Sequence, residues 1–413
     1  MSNLKIKISL FLNYFVFAIL LNSVGTVMLQ VQNNYGILKS SASVLEAFKD
    51  LSISLLSFLI SSYIVRIGYK NAMLAALGIT AAACFTMPLV GGFTMTKILF
   101  AAVGASFALI KMSVYSTIGL ITRDQKEHLS LMSFIESFFM IGVLSGYFIF
   151  GAFINDADPT STAWLQVYYF LGALSLLAFV LLWSAPLDET AAKTAENTST
   201  SWRDIAAMFK MLALPLVLSF IGCAFLYVLI EQSIMSWLPT FNKEVMKLPV
   251  SLSIQMASIL SASIAAGRFF AGFLLKRYNW LYVLVSCLLL AAILVLLVIP
   301  LTQNLPQRAI NTLADVPPIA FAFPLIGFFL APIYPAINSA ILSSLPASRH
   351  GLMSGLIILF SALGGTTGSI ITGFIFEQYG GQTAFYCSLI PLFLLIVMLN
   401  FFKRMTRIDS ATA

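Results

Sequence analysis

The chain has 413 residues, of which 60% are hydrophobic and 9% are charged, with a mean hydropathy of +0.95 and a formal net charge of +7. Soluble globular proteins carry about 25% charged residues, so this composition excludes an ordinary soluble fold and indicates an integral membrane protein. The apolar runs are about 20 residues long and lack the polar alternation of barrel strands, which predicts membrane-spanning helices.

The hydropathy pattern predicts an all-α integral membrane protein with twelve transmembrane helices. These spans lie near residues 8–30, 45–66, 71–91, 97–122, 129–153, 164–185, 211–238, 251–275, 280–300, 317–345, 351–376 and 382–402. Basic residues before the first apolar run resemble a signal peptide, but no small-residue cleavage site follows, so an uncleaved first span is expected. The four cysteines fall in different apolar runs, which indicates packing residues and neither a disulfide framework nor a metal site.

One polar segment, DETAAKTAENTSTSWRD, divides the spans into six and six. The sequence therefore predicts an N-terminal six-helix bundle over 1–187, a cytoplasmic linker over 188–210 and a C-terminal six-helix bundle over 211–413. With both termini inside, about fifteen lysines and arginines fall on the inner side and five on the outer side, which agrees with the positive-inside rule. These basic residues are dispersed over short loops, so the net charge predicts no nucleic-acid partner.

An internal repeat relates the fifth and eleventh spans. After His128, glycines follow at 142, 146 and 151, and after His350 they follow at the same offsets, at 364, 368 and 373. The segments GVLSG and GGTTG have the small-xxx-small spacing that lets two helices approach closely. Two related six-helix bundles that rock about a central site are a common architecture of secondary transporters.

The loop SSYIVRIGYK after the second span resembles the signature of the major facilitator superfamily. Arg66, Gly68 and Lys70 fit that signature, whereas Ser61 replaces its first glycine and Val65 its aspartate. The segments YVLIEQSIMSWL, GRFFAGFLLKRY and PIYPAINSAI resemble the fucose:proton symporter family of sugar permeases.

The resemblance implies that spans 1, 4, 7 and 10 line a cavity, while spans 3, 6, 9 and 12 face lipid. The sugar symporters of that family have acidic residues at positions that ungapped matching places at Gly25 and Lys111, so those two proton-coupling groups are not carried over. Glu231, by contrast, matches an acidic or amide position of the family's seventh span.

Ionisable residues inside a bilayer are candidates for function because each needs a partner or a wet cavity. Lys111 lies about 18 Å from the inner surface and about 21 Å from the outer surface at a rise of about 1.5 Å per residue, too deep for its side chain to reach either. The depths of Glu136 and Lys111 in the membrane differ by about 6 Å, which a long lysine side chain can cover, so an ion pair between these two residues is expected. The pair either only fixes span 4 against span 5 or lines the cavity, where substrate or a proton competes for one partner.

The other candidates form two groups. Glu231 with Asn22, Tyr115, Gln232, Tyr334 and Asn338 is predicted to join Lys111 and Glu136 in substrate binding or proton coupling, although Glu231 at the exposed outer mouth is the alternative. Glu46, Lys49 and Asp50 share one helix face near the outer boundary and are predicted to form a self-neutralising gate or interfacial cluster, with direct coupling as the alternative. Arg66 is predicted to be a gating residue, and Arg268 a structural or gating residue near the cytoplasmic end of its span, with substrate contact as the alternative.

These features predict a secondary active transporter, not an enzyme, that moves a small polar solute by alternating access. A sugar or related metabolite with proton coupling is the expectation, and an exporter or exchanger of drugs or organic anions is the alternative. A non-transporting membrane sensor or scaffold is the alternative from another class. No cofactor or metal is expected, and the partners are the solute, protons and membrane lipid. A monomer in a bacterial inner membrane is expected.

Overall fold

The computed structural model describes residues 2–60, 64–122, 125–187, 189, 208–302, 315–345 and 350–412. Its secondary structure is helical, and the described residues form no strand. They fall into two compact units, Met1–Ile37 with Leu45–Thr200 and Leu38–Val44 with Ser201–Ala413. The division between residues 200 and 201 falls inside the predicted linker, most of which lies outside the described residues.

The first unit is a helical bundle. Its helices are α1 (Ser2–Asn22), α2 (Val24–Tyr35), α4 (Val44–Ile60), α5 (Ile64–Ile67), α6 (Tyr69–Val90), α7 (Gly92–Ile121), α8 (Gln125–Ala152) and α9 (Val167–Ser184), and α3 (Lys39–Ala42) belongs to the second unit. The helix α1 packs against α8, and α6 packs against both α7 and α9. A 3₁₀ turn at Thr162–Gln166 leads into α9.

The second unit has the same all-helical character. Its further helices are α10 (Pro215–Glu244), α11 (Val250–Arg277), α12 (Trp280–Leu301), α13 (Pro318–Ala322), α14 (Ile326–Leu330), α15 (Ile333–Ser343), α16 (His350–Tyr386) and α17 (Leu389–Thr412), with 3₁₀ turns at Met211–Ala213 and Phe323–Leu325. The helix α10 packs against α16 and α17, and α11 packs against α14. The short α3 packs against α16, where the Ser40 backbone N–H donates to Glu377 Oε2 at 2.8 Å and Lys39 pairs with Glu244 at 3.1 Å.

Ten stretches of the described residues are helical, long and apolar enough to cross a membrane. They coincide with ten of the twelve predicted spans, and the helices α4 and α17 lie at the other two. The membrane class and the helical fold are thereby confirmed, whereas the full count of twelve and the orientation of the termini stay predictions.

Two predicted spans are interrupted where polar or imino residues disturb the helix. The first span breaks at Ser23, whose hydroxyl donates to the Leu20 carbonyl while the preceding Asn22 amide donates to the Ala18 carbonyl. Side chains that bond nearby carbonyls compete with the helix ladder and bend it. The tenth span is divided into α13, a 3₁₀ turn, α14 and α15, and it contains prolines.

The cysteines lie where the sequence analysis placed them. Cys84 and Cys223 are buried, Cys287 and Cys387 are half-buried, and all four are free. Many leucine and phenylalanine side chains on the outer helix faces are exposed, among them Phe269, Phe393 and Leu297. Such an apolar surface is unusual for a soluble protein and is suited to contact with lipid.

The repeated glycines form matching helix seams in the two units. A methyl group on Gly142 of α8 would lie 2.7 Å from the Phe15 carbonyl oxygen of α1, and one on Gly364 of α16 would lie 2.5 Å from the Phe225 carbonyl oxygen of α10. Both distances are too short for a real side chain, so these positions require glycine. The seam predicted from GVLSG and GGTTG is therefore observed in each unit.

Candidate functional site

An N-terminal cluster is formed by Tyr14 of α1, Lys111 and Tyr115 of α7, and Glu136 of α8. Lys111 and Tyr115 lie one turn apart and so share a face of α7. The Tyr115 hydroxyl donates to Glu136 Oε1 at 2.7 Å, and the Tyr14 and Tyr115 ring centroids are 6.3 Å apart. The second oxygen of the Glu136 carboxylate is not used by Tyr115 and is available to another donor.

The expected direct ion pair between Lys111 and Glu136 is not formed among the described side chains. The two charges interact electrostatically, but Glu136 takes its short hydrogen bond from Tyr115 instead. Lys111 and Glu136 are both exposed on the surface of the unit, although each lies inside a candidate membrane span. Because an uncompensated charge facing lipid is costly, this exposure favours a wet cavity over a lipid-facing position.

Aromatic rings surround the N-terminal cluster. The ring of Tyr14 is 5.8 Å from that of Phe139 and 6.3 Å from that of Phe107, and Phe107 is 5.9 Å from Phe17. These separations are typical of interacting aromatic pairs. The cluster thus combines a cation, a carboxylate and two hydroxyl groups with an apolar wall, a mixture that is common in small-molecule sites.

A C-terminal cluster is formed by Tyr227 and Glu231 of α10, Arg268 of α11 and Tyr334 of α15. The Tyr227 hydroxyl donates to Glu231 Oε1 at 2.7 Å across one turn of α10. The rings of Tyr227 and Tyr334 stack with centroids 5.5 Å apart, and the Tyr334 hydroxyl shares a 3.0 Å hydrogen bond with Ser361 of α16.

Arg268 belongs to this cluster by its electrostatics. It interacts electrostatically with Glu231, Tyr227 and Tyr334, and its role as a gating residue stays a prediction. Its own side chain is exposed, whereas Glu231 is half-buried. Each unit therefore holds a carboxylate that accepts a hydrogen bond from a tyrosine and interacts electrostatically with a nearby cation.

The charges of α4 form an ion-paired triad, defined here as Glu46, Lys49 and Asp50. The Lys49 ammonium contacts Glu46 Oε1 closely and lies 3.4 Å from Asp50 Oδ1. The side chain of Glu46 is fully buried, and those of Lys49 and Asp50 are 8% and 13% exposed. The predicted shared face is thus correct and the three side chains are largely buried, whereas their role as a gate or interfacial cluster stays a prediction.

The remaining predicted residues have more local contacts. Asn22 bonds its own helix beside the Ser23 break, and Gln232 accepts from Ser236 at 3.4 Å. Asn338 lies one turn after Tyr334, and its Oδ1 is buried without a partner among the described residues. Arg66 is exposed at the end of α5.

The loop that carries the superfamily signature is fastened by Lys70. Its ammonium donates to the carbonyls of Trp183 and Ala185 at the end of α9, and its backbone N–H donates to Glu189 at 2.6 Å. A lysine at a helix C-terminus satisfies carbonyls that lack a partner in the helix.

Sequence reasoning missed Tyr14 and Tyr227 of the two clusters, and Ser361, which bonds Tyr334. Tyr227 lies one turn before Glu231, a spacing that was visible in the sequence. Tyr14 interrupts the apolar first span with a hydroxyl, and that signal was available in the sequence. Ser361 has no such signal, because a serine in a helix commonly bonds its own backbone.

An apolar groove of about 550 Å³ lined by Ser258, Ala262, Leu294 and Phe328 contains none of the cluster residues. No group of histidine, cysteine and acidic residues suited to a metal ion occurs in the described part of the chain.

Comparison with known proteins identifies the family. The model of the Major Facilitator Superfamily matches residues 10–310. The chain belongs to this superfamily. It is a transporter and not an enzyme, which confirms the resemblance inferred from the loop after the second span.

Individual relatives of this superfamily member are distant. It is 24% identical over 406 residues to the protein TsgA homolog of Buchnera aphidicola subsp. Acyrthosiphon pisum (strain 5A), and the match covers 96% of each chain. A bacterial homolog of the human lysosomal transporter Spinster has a TM-score of 0.73 at 14% identity, with 100% of this chain and 97% of that chain covered. The E. coli fucose:proton symporter FucP has a TM-score of 0.60 at 15% identity, with coverage of 97% and 99%. These structures establish the shared fold.

Proposed function

We propose that this transporter carries a small polar solute, a sugar or related metabolite, by secondary active transport coupled to protons. The observation that carries the proposal is the C-terminal cluster, in which Glu231, Tyr227, Tyr334 and Arg268 offer an acceptor, hydroxyls, a stacked aromatic surface and a cation. Hydroxyl groups of a sugar donate well to a carboxylate, and its apolar ring face stacks on aromatic rings.

The N-terminal cluster supports the same proposal. Tyr115 occupies one oxygen of Glu136, so the carboxylate retains acceptor capacity for a solute hydroxyl or a proton. FucP, which is named a fucose:proton symporter, shares the fold and supports a sugar as the first solute to test.

The test is uptake of labelled L-fucose and D-xylose by the purified protein in proteoliposomes under an imposed pH gradient. We expect accumulation that disappears when the gradient is collapsed, and that falls at least tenfold in Glu231→Gln. The matched control is Asp158→Asn, which changes an exposed loop carboxylate of the first unit. Accumulation that persists without the gradient would refute proton coupling, and uptake equal in Glu231→Gln and the control would refute the role of the cluster.

A second candidate is an exporter or exchanger of organic anions, favoured by the exposed Lys111 beside the aromatic wall of the N-terminal cluster. Thermal stabilisation by a panel of anions and sugars separates the two, because a ligand stabilises the state that it binds. Stabilisation by aromatic carboxylates, with none by sugars, would favour the anion. Absence of any solute flux would favour a sensor or scaffold.

A further inference from the structure

The ion-paired triad of α4 has one more carboxylate than its lysine can neutralise. Lys49 contacts both Glu46 and Asp50, and the three side chains are between 0% and 13% exposed. An isolated ionised carboxylate is strongly disfavoured away from water, and such a group commonly takes up a proton instead. The triad is therefore built to hold a proton.

Asp50 is the member best placed to take that proton. Its distance to the lysine is 3.4 Å, longer than that of Glu46, and its side chain is more exposed than the fully buried Glu46. Glu46 also has a further interaction besides Lys49. Glu46 is thus the fixed counter-charge, and Asp50 is the weaker and more accessible partner.

Among the residues that the structure describes, no second cation acts on Asp50 besides Lys49. In the part of the chain that the structure describes, Lys49 and Glu46 are the charged groups that act on the Asp50 carboxylate. The neighbouring helix α7 brings Lys97 to this region, where its ammonium lies 5.9 Å from the Phe48 ring centroid. Phe48 and Asp50 are two residues apart and so do not share a face of α4.

The triad is tightly connected to the helix that carries the N-terminal cluster. A methyl group on Gly104 of α7 would collide with the Lys49 carbonyl oxygen, so the two backbones are in close contact there. Lys111 and Tyr115 follow Gly104 by 7 and 11 residues, near two and three full turns of about 3.6 residues, and so share its face. A shift of α4 at the triad therefore acts on the helix that places Lys111 and Tyr115.

We propose that Asp50 is the proton-binding residue that couples transport, with Lys49 as its partner and Glu46 as the fixed counter-charge. This inference rests on the proton coupling proposed above. Asp50 takes one proton from the more acidic aqueous phase and becomes a neutral carboxylic acid, while Lys49 stays paired with Glu46. Release of that proton to the other phase restores the carboxylate and its pairing with Lys49.

The direct test is infrared difference spectroscopy of the purified protein, titrated between about pH 5 and pH 8, a range in which exposed carboxylates stay ionised. We expect the wild-type protein to show the carbonyl stretch of a protonated carboxylic acid, and Asp50→Asn to lose the part of that band that comes from Asp50. Asp158→Asn, the exposed control, retains it. Identical spectra for the wild-type protein and Asp50→Asn would overturn the assignment.

A second variant keeps the test decisive if Asp50→Asn does not fold. In Glu46→Gln, Lys49 has Asp50 as its sole carboxylate partner in the triad, so the carbonyl band is expected to weaken and move to lower pH by at least one unit. A band unchanged in Glu46→Gln would overturn the proposal.

Uptake measurements separate this inference from the proposed function. Proton-driven uptake by the wild-type protein that persists at the same level in Asp50→Asn would overturn the role of Asp50 and leave proton coupling intact. Wild-type uptake that does not depend on the pH gradient would overturn both the role of Asp50 and proton coupling. We expect Asp50→Asn to exchange labelled L-fucose across the membrane while its accumulation against a gradient falls at least tenfold.

Discussion

The seam between α10 and α16 provides a sharp test because it also positions the C-terminal cluster. In Gly364→Ala, the new methyl group would lie 2.5 Å from the Phe225 carbonyl oxygen, whereas ordinary contacts begin near about 3.5 Å. The helix α16 therefore has to retreat by about 1 Å, and forced overpacking of this kind costs about 1–3 kcal/mol.

The same retreat disturbs the cluster. Ser361 lies one turn before Gly364 on α16, and its hydroxyl is 3.0 Å from the Tyr334 hydroxyl. A retreat of about 1 Å lengthens that contact to about 4 Å, beyond hydrogen-bonding distance, with a further loss of about 1 kcal/mol. Together these costs of at least about 2 kcal/mol lower Tm by about 2 °C or more for a chain of 413 residues.

The assay is thermal unfolding in detergent, followed by the reaction of a fluorogenic maleimide with the buried cysteines Cys84 and Cys223 as they become exposed. The control is Gly272→Ala on α11, because a methyl group there has no neighbour within 4 Å. Replacing this helical glycine by alanine stabilises a helix by up to about 1 kcal/mol. Equal Tm values for Gly364→Ala and Gly272→Ala would refute the steric reasoning.

Three further outcomes are expected from single contacts. Lys111→Ala should slow solute uptake about threefold more than Lys111→Ala combined with Glu136→Gln, because the single change leaves a carboxylate without its nearby cation; proteoliposome uptake rates measure the difference. Tyr227→Phe should weaken solute binding about tenfold in calorimetric titration, because Glu231 loses a hydrogen bond to a charged group worth about 1.5–3 kcal/mol. Lys70→Met should lower the unfolding free energy by about 1 kcal/mol, read as a lower Tm, because two carbonyls at the end of α9 lose their donor.

Each of these outcomes has a result that contradicts it. Equal uptake by the single and double variants would remove the electrostatic link between Lys111 and Glu136. An unchanged Kd in Tyr227→Phe would show that the hydroxyl does not prepare Glu231 for the solute. Lys276→Met removes an exposed lysine at the end of α11, and a Tm equal to that of Lys70→Met would show that the carbonyl contacts contribute nothing measurable.

Long-period features of the sequence were predictable because they depend on composition and spacing. Runs of apolar residues placed ten helices of the described chain, and the equal offsets after His128 and His350 predicted seams that both units contain. The helix break at Ser23 was harder to predict, because a hydropathy profile averages over about 19 residues and does not resolve the effect of one side-chain hydrogen bond.

Contacts between different helices were harder to predict. The spacing of Tyr227 and Glu231 along one helix indicates a contact, but the choice of Tyr115 over Lys111 as the close partner of Glu136 depends on how α7 and α8 are rotated. Depth along the membrane normal gave the right neighbourhood and the wrong partner. Burial of the triad was also not predictable from the sequence. Its estimated depth near the outer membrane boundary does not show how α4 packs against its neighbours, and it is this packing that buries the triad.

The short helix α3 separates the order of the chain from the order of its packing. Leu38–Val44 holds α3 and the first residue of α4. It interrupts the first unit yet belongs to the second unit, where Lys39 and Ser40 contact Glu244 and Glu377. A polypeptide covering only 201–413 would therefore leave two acidic side chains without these partners. No single cut of the gene divides this transporter into two fragments that each retain all their own contacts, so a split version is expected to reassemble less stably than the intact chain.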